Sequence, residues 1–309
     1  MTEATKQDWT TRKLLTWMTQ AFEGKDLDAP RRQAEMLLAH IVGCERLKLY
    51  MDPDRPAAPL ELDTLRALVK RALNDEPIQY LIGEEQFFGM TFKVDRRVLI
   101  PRPSTQTIVE TVLQHSRKNP DAGSVRDSDA GNGILIADVC TGSGCIAAAL
   151  AKHLPGARVV ATDISPEALD VAKINFEAHG LHDRVDLVEG DLLDALRTHP
   201  VAGQDASMHY LCSNPPYIPD HEWDAVEPNV KNHEPSLALR GGADGLDLIR
   251  RLVSDGPKFV ESTGLLLIEL AESHAQEALT LARSHENLIN ERVLKDSDGL
   301  DRVLVAERK

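Results

Sequence analysis

Four consecutive residues that follow an apolar segment have types suited to holding a nitrogen-bearing group: Asn214, Pro215, Pro216 and Tyr217. The side-chain oxygen of Asn214 and the backbone carbonyl of Pro215 could each accept one N–H of a planar NH2 group. The two prolines restrict the backbone, and the ring of Tyr217 could cover the planar group. Asn and Pro are also common turn residues, so the same four residues could form a simple turn. The pattern favours transfer of a group to an amide or amine nitrogen.

A glycine-rich loop lies earlier in the chain, where ILIADV runs into five residues and then a helix-forming segment: Cys140, Thr141, Gly142, Ser143 and Gly144. A strand, a glycine turn and a helix N-terminus in this order make a ligand site, because glycine allows close approach and the first helical N–H groups lack partners. GSGCIA also fits the dinucleotide pattern G-x-G-x-x-A, so the loop by itself permits NAD.

Acidic residues near the ends of the predicted strands narrow the choice of ligand. Asp138 precedes the loop, where a carboxylate disfavours a pyrophosphate but suits the ammonium and sulfonium of S-adenosyl-L-methionine, unless it only caps the helix. Asp163 ends the next predicted strand and could accept both ribose hydroxyl hydrogens of an adenosine ligand. By analogy with other adenosine-binding sites, Asp191 would lie near the adenine with Leu192 beside the ring, although Asp191 could also be an ordinary N-cap. Together they favour S-adenosyl-L-methionine as the cofactor.

The elements that position these residues alternate between strand and helix from Pro101 onward, which predicts a mainly parallel sheet. We expect strands near 134–139, 157–163, 184–189, 208–213 and 263–270. We expect helices near 104–115, 144–153, 166–179, 245–254 and 273–285. The segments NLINERVLKD and LDRVLVAE predict a closing antiparallel hairpin. Open α/β sheets bind ligands at the carboxyl ends of their strands, so the glycine loop and the Asn-Pro-Pro-Tyr motif are expected at one edge.

The first part of the chain has a different pattern. Apolar residues recur there at intervals of three and four, which predicts a small bundle of helices, the second with Asp28 as its cap and Pro30 in its first turn. The aromatic and branched residues that follow predict a β-hairpin. The domain boundaries are therefore 1–83 for the helical domain, 84–100 for the hairpin linker and 101–309 for the α/β domain.

Composition excludes several classes of protein. Apolar residues make up 42% and charged residues 27% of the chain, which is typical of a globular protein. Residues 101–309 carry 20 basic and 33 acidic side chains, so bulk nucleic-acid binding is disfavoured. Neither the four cysteines nor the histidines have a metal-ligand spacing, and we expect no metal. No membrane span or leader is recognisable, which predicts a cytoplasmic protein, and we expect a monomer. Residues 117–133 predict a polar surface loop.

Together the motifs resemble class I S-adenosylmethionine-dependent methyltransferases and, more narrowly, the PrmC/HemK family of protein-(glutamine-N5) methyltransferases. The segments that carry the resemblance cover nearly the whole chain: PRRQAEMLLAHIVG, EPIQYLIGEEQFFGMTFKVDRRVLIPRP, DVCTGSGCIAAALA, ATDIS, SNPPYI, HEPSLAL and DGLDRVLVAER. NPPY alone is shared with adenine-N6 and other amine methyltransferases. The joined set of IPRP, TGSG, NPPYI and HEPSLAL is much more specific.

The resemblance implies a Rossmann-like domain, with a mostly parallel seven-stranded sheet and an antiparallel C-terminal hairpin, beside a small helical bundle. It implies methylation of the glutamine of the Gly-Gly-Gln loop of peptide chain release factors, with S-adenosyl-L-homocysteine as the second product. Residues 140–144 and Asp163 would bind the cofactor, with Asn214 also in contact with it. Residues 214–217 would hold the glutamine, and residues 1–83 would help to dock the release factor.

This sequence departs from the family pattern at a few positions. Cys140 stands where the family has the first glycine of the cofactor loop, so the added side chain is expected to reduce cofactor affinity. Ser104 and Gln106 replace the usual acidic residues after IPRP, which puts any contact of those acids in doubt. Glu234 in HEPSLAL is interpreted as structural.

Three other functions stay open from the residues alone. NPPY permits an adenine-N6 or other amine methyltransferase, although the acidic charge of the α/β domain disfavours a nucleic-acid substrate. GSGCIA permits a Rossmann oxidoreductase, which leaves NPPY unexplained. Cys140 and the altered IPRP segment suggest a non-catalytic protein that binds release factors or nucleosides, although residues 214–217 are intact.

Overall fold

The computed structural model describes residues 9–25, 27–119, 133–203 and 208–309. The predicted surface loop at 117–133 lies largely outside this described part. Contacts between residues divide the described chain into two compact units, Met1–Gly83 with Pro228–His233 and Glu84–Glu227 with Glu234–Lys309. The hairpin that follows residue 83 therefore belongs to the second unit.

The first unit is helical, and apolar stripes on its helices supply its core. Its helices in the N-terminal segment are α1 (Thr11–Glu23), α2 (Pro30–Val42), α3 (Pro59–Ala72) and α4 (Ile78–Ile82), with a 3-10 helix at Arg46–Tyr50. Met18, Phe22 and Leu37 are fully buried among them, so the three- and four-residue spacing does mark the packed face.

The start of α2 differs in detail from the expectation. The helix begins at Pro30, but its N-cap is Ala29, with φ of +43°, and no side chain caps it. The contact that Asp28 makes with this helix comes from its backbone oxygen, which accepts a 2.6 Å hydrogen bond from the side chain of Gln33. Proline in the first helical position fixes where the helix begins, which makes the residue directly before it the cap.

The second unit alternates strands and helices. In chain order its elements, together with the short helix α9 that groups with the first unit, are β1 (Glu84–Phe87), β2 (Met90–Lys93), α5 (Gln106–Lys118), β3 (Leu135–Val139), α6 (Cys145–His153), β4 (Arg158–Asp163), α7 (Pro166–Ala178), β5 (Val185–Glu189), α8 (Leu193–Arg197), β6 (Met208–Ser213), α9 (Pro228–Lys231), α10 (Asp247–Asp255), β7 (Val260–Glu269), α11 (Ala275–Arg283), β8 (Leu288–Lys295) and β9 (Asp301–Arg308). Strands β1 and β2 pair with each other as an antiparallel hairpin.

Within the described residues, seven strands form one sheet in the order β5-β4-β3-β6-β7-β9-β8. The pairs from β5 to β7 are parallel, while β9 runs antiparallel to both β7 and β8. The predicted mostly parallel sheet with an antiparallel C-terminal hairpin is therefore confirmed. Strand β3 lies between β4 and β6, so the connections that leave β3 and β6 diverge and a crevice opens between their carboxyl ends.

Apolar side chains cover both faces of the sheet. Along β3, Ile136 packs into the cluster on one face while Ala137 and Val139 pack into the cluster on the other. Helix α6 is buried almost throughout, with every residue from Ala147 to Ala151 inaccessible to solvent. Burial on both faces holds the strand ends in place, because any shift would expose apolar surface. No helix in the described residues is long and apolar enough to cross a membrane.

Candidate active site

Adjoining cavities open where β3, β4 and β6 end. The first is lined by residues that include Cys140–Ser143, Asp163, Asn214 and Pro216. The second is lined by residues that include Asp191 and Leu192. Cys140, Asp163, Ile164, Pro216 and Leu237 line both. The structure thus brings most of the predicted site residues to one crevice at the expected edge of the sheet.

The glycine loop is held by backbone groups that reach neighbouring strands. The Gly142 N–H donates to Asp163 Oδ2 at 2.9 Å, and the Ser165 N–H donates to Asp163 Oδ1 at 3.0 Å. Gly144 has φ of +81°, and a Cβ there would lie 2.6 Å from the ring of Phe176. Only glycine fits at this position, because the start of α6 packs directly against that ring.

Asp138 lies fully buried behind the loop. Its Oδ2 accepts hydrogen bonds from the Thr141 hydroxyl at 2.6 Å and from the Ala147 N–H in the first turn of α6 at 3.1 Å. Its Oδ1 is buried without a hydrogen-bond partner among the described residues. Burial raises the pKa of this carboxyl to about 7. These contacts are those of a helix-capping carboxylate that braces the loop from behind.

The far end of the crevice contains an ion pair that the sequence did not indicate. The two oxygens of Asp191 accept from the two terminal nitrogens of Arg251, in α10, at 3.2 and 2.8 Å. Leu192 is buried beside Asp191, with φ of +48°. Asp191 therefore forms a forked ion pair with Arg251 and lies in the wall of the second cavity.

The Asn-Pro-Pro-Tyr motif leaves β6 and enters the same crevice. The Asn214 side chain donates from Nδ2 to the Thr105 hydroxyl at 3.1 Å, and Asn214 and Pro216 line the first cavity. Pro215 is buried, and Tyr217 is half-buried against the apolar cluster on one face of the sheet. Burial raises the pKa of Tyr217 to about 12, so its phenol stays neutral near pH 7.

The residues present fit S-adenosyl-L-methionine. Among the described residues other than Gly142 and its two chain neighbours, no heavy atom lies within 4 Å of the point where a Cβ on Gly142 would stand, so the backbone is open to a ligand there. The carboxylate of Asp163 accepts a single backbone N–H on each oxygen, which leaves lone pairs for the hydroxyls of a ribose. Among the described residues, no group of three or more His, Cys, Asp or Glu side chains is placed to hold a metal ion.

Residues 13–83 match the PrmC N-terminal domain, and residues 136–233 match a methyltransferase domain. The release factor glutamine methyltransferase of Chlorobaculum tepidum is 40% identical over 296 residues, which are 96% of each chain. That of Rhodopirellula baltica is 37% identical over 97% of each chain. This chain belongs to the release factor glutamine methyltransferase family.

One solved structure of a more distant protein shares the fold. The catalytic domain of hMettl16, in complex with MAT2A 3'UTR hairpin 6, superposes with a TM-score of 0.50 at 15% sequence identity. The match covers 79% of this chain and 82% of that one. At this identity the likeness concerns the fold alone and adds to the Rossmann-like assignment of the family.

Cys140, which replaces a glycine of the family pattern, still has a glycine-type backbone. Its φ is +63°, in the left-handed region that a residue with a side chain avoids at a cost of about 1 kcal/mol. The residue is partly buried and lines both cavities. Burial of the sulfur and the nearby Asp163 carboxylate raise the pKa of the thiol well above its usual value. The thiol therefore stays neutral, and nucleophilic chemistry by Cys140 is disfavoured.

The family motifs IPRP and HEPSLAL meet in the structure. The buried carboxylate of Glu234 accepts from the Ile100 N–H at 3.0 Å and from an Arg102 guanidinium nitrogen at 2.5 Å. Only 1% of the Glu234 side chain is exposed. These contacts agree with the structural interpretation of Glu234, since it ties two segments that both line the first cavity.

Asn175, on α7, is a site residue that the sequence analysis missed. Its side-chain nitrogen donates to the Ser143 carbonyl at 2.8 Å and to the Lys93 carbonyl at 3.1 Å, and its oxygen accepts the Lys93 N–H at 2.7 Å. The side chain therefore joins the β1-β2 hairpin to the glycine loop. No spacing rule identifies it, because its partners lie 32 and 82 positions away.

Thr105 and Glu269 were also missed as residues of this site. Thr105 lines the first cavity and accepts from Asn214. Ser104, which replaces an acidic residue of the family pattern, donates its hydroxyl to Glu269 Oε1 at 3.0 Å. An acidic side chain at position 104 would stand beside the buried Glu269 carboxylate. The Ser104 hydroxyl therefore donates a hydrogen bond to Glu269, whereas a second carboxylate at this position would repel it.

Proposed function

We propose that this protein transfers the methyl group of S-adenosyl-L-methionine to the side-chain amide nitrogen of the glutamine in the Gly-Gly-Gln loop of peptide chain release factors. The observation that carries the proposal is that the glycine loop and Asn214 line one cavity, in a chain 40% identical to a release factor glutamine methyltransferase over 96% of its length. A cofactor bound at the glycine loop and a glutamine amide bound at Asn214 would therefore face each other.

The cofactor site in this proposal is formed by the ends of three strands. Residues 140–143 border the cofactor with backbone groups, Gly144 lets the loop enter α6 against Phe176, and Asp163 accepts the ribose hydroxyls. Asp191 and Leu192 bound the adenine end of the second cavity. Asp138 holds the glycine loop in position, because its carboxylate accepts hydrogen bonds from the Thr141 hydroxyl and from the Ala147 N–H in the first turn of α6. When bound, the cofactor supplies an electrophilic methyl group on a sulfonium.

The substrate site in this proposal makes a weak nucleophile reactive by orientation. Asn214 Oδ1 and the Pro215 carbonyl accept the two N–H bonds of the glutamine amide, which directs its lone pair towards the methyl carbon. Pro216 keeps the backbone rigid, Tyr217 covers the amide plane, and Asn214 also borders the cofactor. The N–C bond forms as the C–S bond breaks, and the methylated nitrogen then loses one proton to water. Carbonyl dipoles stabilise the arriving positive charge, so no strong base is required.

The partner in this proposal is a release factor, and the first unit, together with its short helix α9, helps to dock it. The acidic α/β unit, with 33 acidic against 20 basic side chains over residues 101–309, suits a protein loop better than a phosphate backbone. Cytoplasmic location and a monomeric state stay predictions from the sequence.

The test combines purified protein, S-adenosyl-L-methionine and a release factor, followed by fragment mass spectrometry. One added methyl on the Gly-Gly-Gln glutamine, absent with Asn214→Ala, is the expected result. The protein should also bind S-adenosyl-L-homocysteine and not NAD. Cofactor binding without methylation of that glutamine would contradict the proposed substrate, and methyl transfer retained in full by Asn214→Ala would contradict the proposed roles of the site residues.

A further inference from the structure

A chain of polar side chains runs from the Asn-Pro-Pro-Tyr motif to the end of β7. Asn214 Nδ2 donates to Thr105 Oγ1 at 3.1 Å. The Thr105 hydroxyl adjoins the carboxylate of Glu269 and favours its charged form, and the same carboxylate accepts from the Ser104 hydroxyl at 3.0 Å. Thr105 and Glu269 are buried, with exposed fractions of 2% and 0%. Both residues are therefore shielded from solvent.

Counting the available protons shows which of these side chains donates and which accepts. A carboxylate only accepts, so the single hydroxyl proton of Thr105 is used towards Glu269. The Thr105 oxygen is then left as an acceptor, and the group that faces it must be a donor. The Asn214 amide can meet this demand only with its NH2 group. Its Oδ1 consequently lies on the other side of the amide, away from Thr105.

Glu269 is an unusual residue to find at this place. It is the last residue of β7, is fully buried, and has its Oε2 without a hydrogen-bond partner among the described residues. A buried carboxylate with an unpaired oxygen is destabilising, so its presence below the site calls for a role. Serine and threonine hydroxyls at consecutive positions, 104 and 105, are directed at it.

We propose that Thr105, itself held by Glu269, is a positioning residue that sets the orientation of the Asn214 amide so that Oδ1 faces the substrate nitrogen. This inference rests on the proposed function and adds to it a residue pair that selects between the two faces of one amide. With the hydroxyl removed, the amide can turn by 180° and present its NH2 to the NH2 of the glutamine. Two donors then face each other, and the acceptor that orients the substrate lone pair is lost.

The decisive variants change one hydroxyl at a time. Thr105→Val keeps the shape of the side chain and removes its oxygen, while Thr105→Ser keeps the oxygen. Thr162→Val is the matched control, because Thr162 is a fully buried threonine of the same unit whose hydroxyl has no hydrogen-bond partner among the described residues.

We expect Thr105→Val to lower kcat with a release factor substrate by about tenfold or more, whereas the Kd for S-adenosyl-L-homocysteine should stay within about twofold. Thr105→Ser should recover most of kcat, and Thr162→Val should leave kcat unchanged. Equal kcat in Thr105→Val and the unsubstituted protein would overturn the inference while leaving the proposed function intact. An equal loss in Thr162→Val would also overturn it, since the effect would then come from any buried hydroxyl.

A second measurement does not depend on turnover and is made on the unsubstituted protein, with a variant used only to assign one signal. In protein labelled with 15N-asparagine, the side-chain NH2 signal of Asn214 is assigned by its loss in Asn214→Ala, and its hydrogen exchange is measured. Slow exchange of one of the two protons is expected, because that proton is bonded to the buried Thr105 oxygen. Fast exchange of both would overturn the inference. Slow exchange in a protein without methyl transfer would instead remove the proposed function and leave the amide orientation standing.

Discussion

The loops that follow β3 and β6 lie side by side at one edge of the sheet, yet they are built in different ways. The β3 loop is held by two backbone N–H groups that donate to buried or partly buried carboxylates, Gly142 to Asp163 and Ala147 to Asp138. In the β6 loop, the Asn-Pro-Pro-Tyr segment has two prolines and one side-chain hydrogen bond, from Asn214 to Thr105, before the backbone of Ile218 pairs with Leu239 and Gly241. The first loop spreads its support over these contacts, whereas the second concentrates its chemistry in the direction of one amide.

This difference has a consequence for how each loop tolerates substitution. Cys140 stands in a glycine-type conformation of the β3 loop, and the hydrogen bonds around it are nonetheless made. A change in a loop with distributed support should shift cofactor affinity or stability by graded amounts. A change in the β6 loop should alter the rate of methyl transfer and leave cofactor affinity nearly unchanged.

Asn214→Ala should have the largest effect. We expect methyl transfer to fall by about a thousandfold, because the acceptor that orients and stabilises the substrate nitrogen is gone. The Kd for S-adenosyl-L-homocysteine, measured by calorimetry, should change by no more than about threefold. A large loss of cofactor affinity with little loss of rate would contradict the assignment of cofactor binding to the β3 loop and of substrate orientation to the β6 loop.

Asp138→Asn should reveal the cost of bracing the β3 loop with a buried acid. The folded pKa of about 7 lies above the unfolded value of 3.8, so the folded state holds a proton that the unfolded state releases. Its contribution therefore falls as pH rises from about 4 to 7 and is constant above that. Between pH 5 and 8, the stability of the variant relative to the unsubstituted protein should rise by about 2 to 3 kcal/mol.

The measurement for Asp138→Asn is urea unfolding at several pH values, since the difference between the two proteins cancels the other titrating groups. Thr141→Val is a useful companion, because it removes a hydrogen bond to Asp138 without removing the carboxyl. A stability difference between Asp138→Asn and the unsubstituted protein that does not change with pH would show that Asp138 has an ordinary pKa in the folded state.

Asp163→Asn tests the proposed hydrogen bonds between the Asp163 carboxylate and the ribose of the cofactor. The amide has a single oxygen, so it cannot accept from Gly142 and Ser165 on two separate atoms and still offer both lone-pair sets to a ribose. We expect the Kd for S-adenosyl-L-homocysteine to rise by about tenfold, with kcat at saturating cofactor within about threefold of the original. If kcat fell instead, with an unchanged Kd, Asp163 would belong with the substrate loop.

Cys140→Gly should have the smallest effect, and in the favourable direction. Removing the side chain relieves the left-handed strain, while the greater freedom of glycine in the unfolded chain offsets part of the gain. The net increase in unfolding free energy should be roughly 0.5 to 1 kcal/mol. Cofactor affinity should improve by a few fold, as measured by calorimetry beside Cys140→Ala, which keeps a Cβ. A loss of affinity in the glycine variant would mean that the sulfur itself contacts the ligand.

Much of the architecture follows from the sequence pattern alone. Strands β3 to β7 and the C-terminal hairpin lie within a few residues of their predicted positions, since burial on both faces gives short apolar runs separated by turn residues. The glycine loop and the Asn-Pro-Pro-Tyr motif could be placed at one edge because carboxyl ends of parallel strands share an edge. Membership of the PrmC/HemK family, predicted from the joined motifs, is confirmed by the relatives.

The pairings within the site were decided by the tertiary structure. Asn214 and Thr105 are 109 positions apart, Ser104 and Glu269 are 165 apart, and Asp191 finds Arg251 after 60. Sequence spacing determines which residues share a face of one helix or strand, because the backbone repeats with a fixed period. It carries no such period between elements, where strand register and side-chain packing decide which groups meet. The sequence by itself therefore determined which residues carry the chemistry and at which edge they stand, and the packed fold decided which neighbour holds each of them and in which direction.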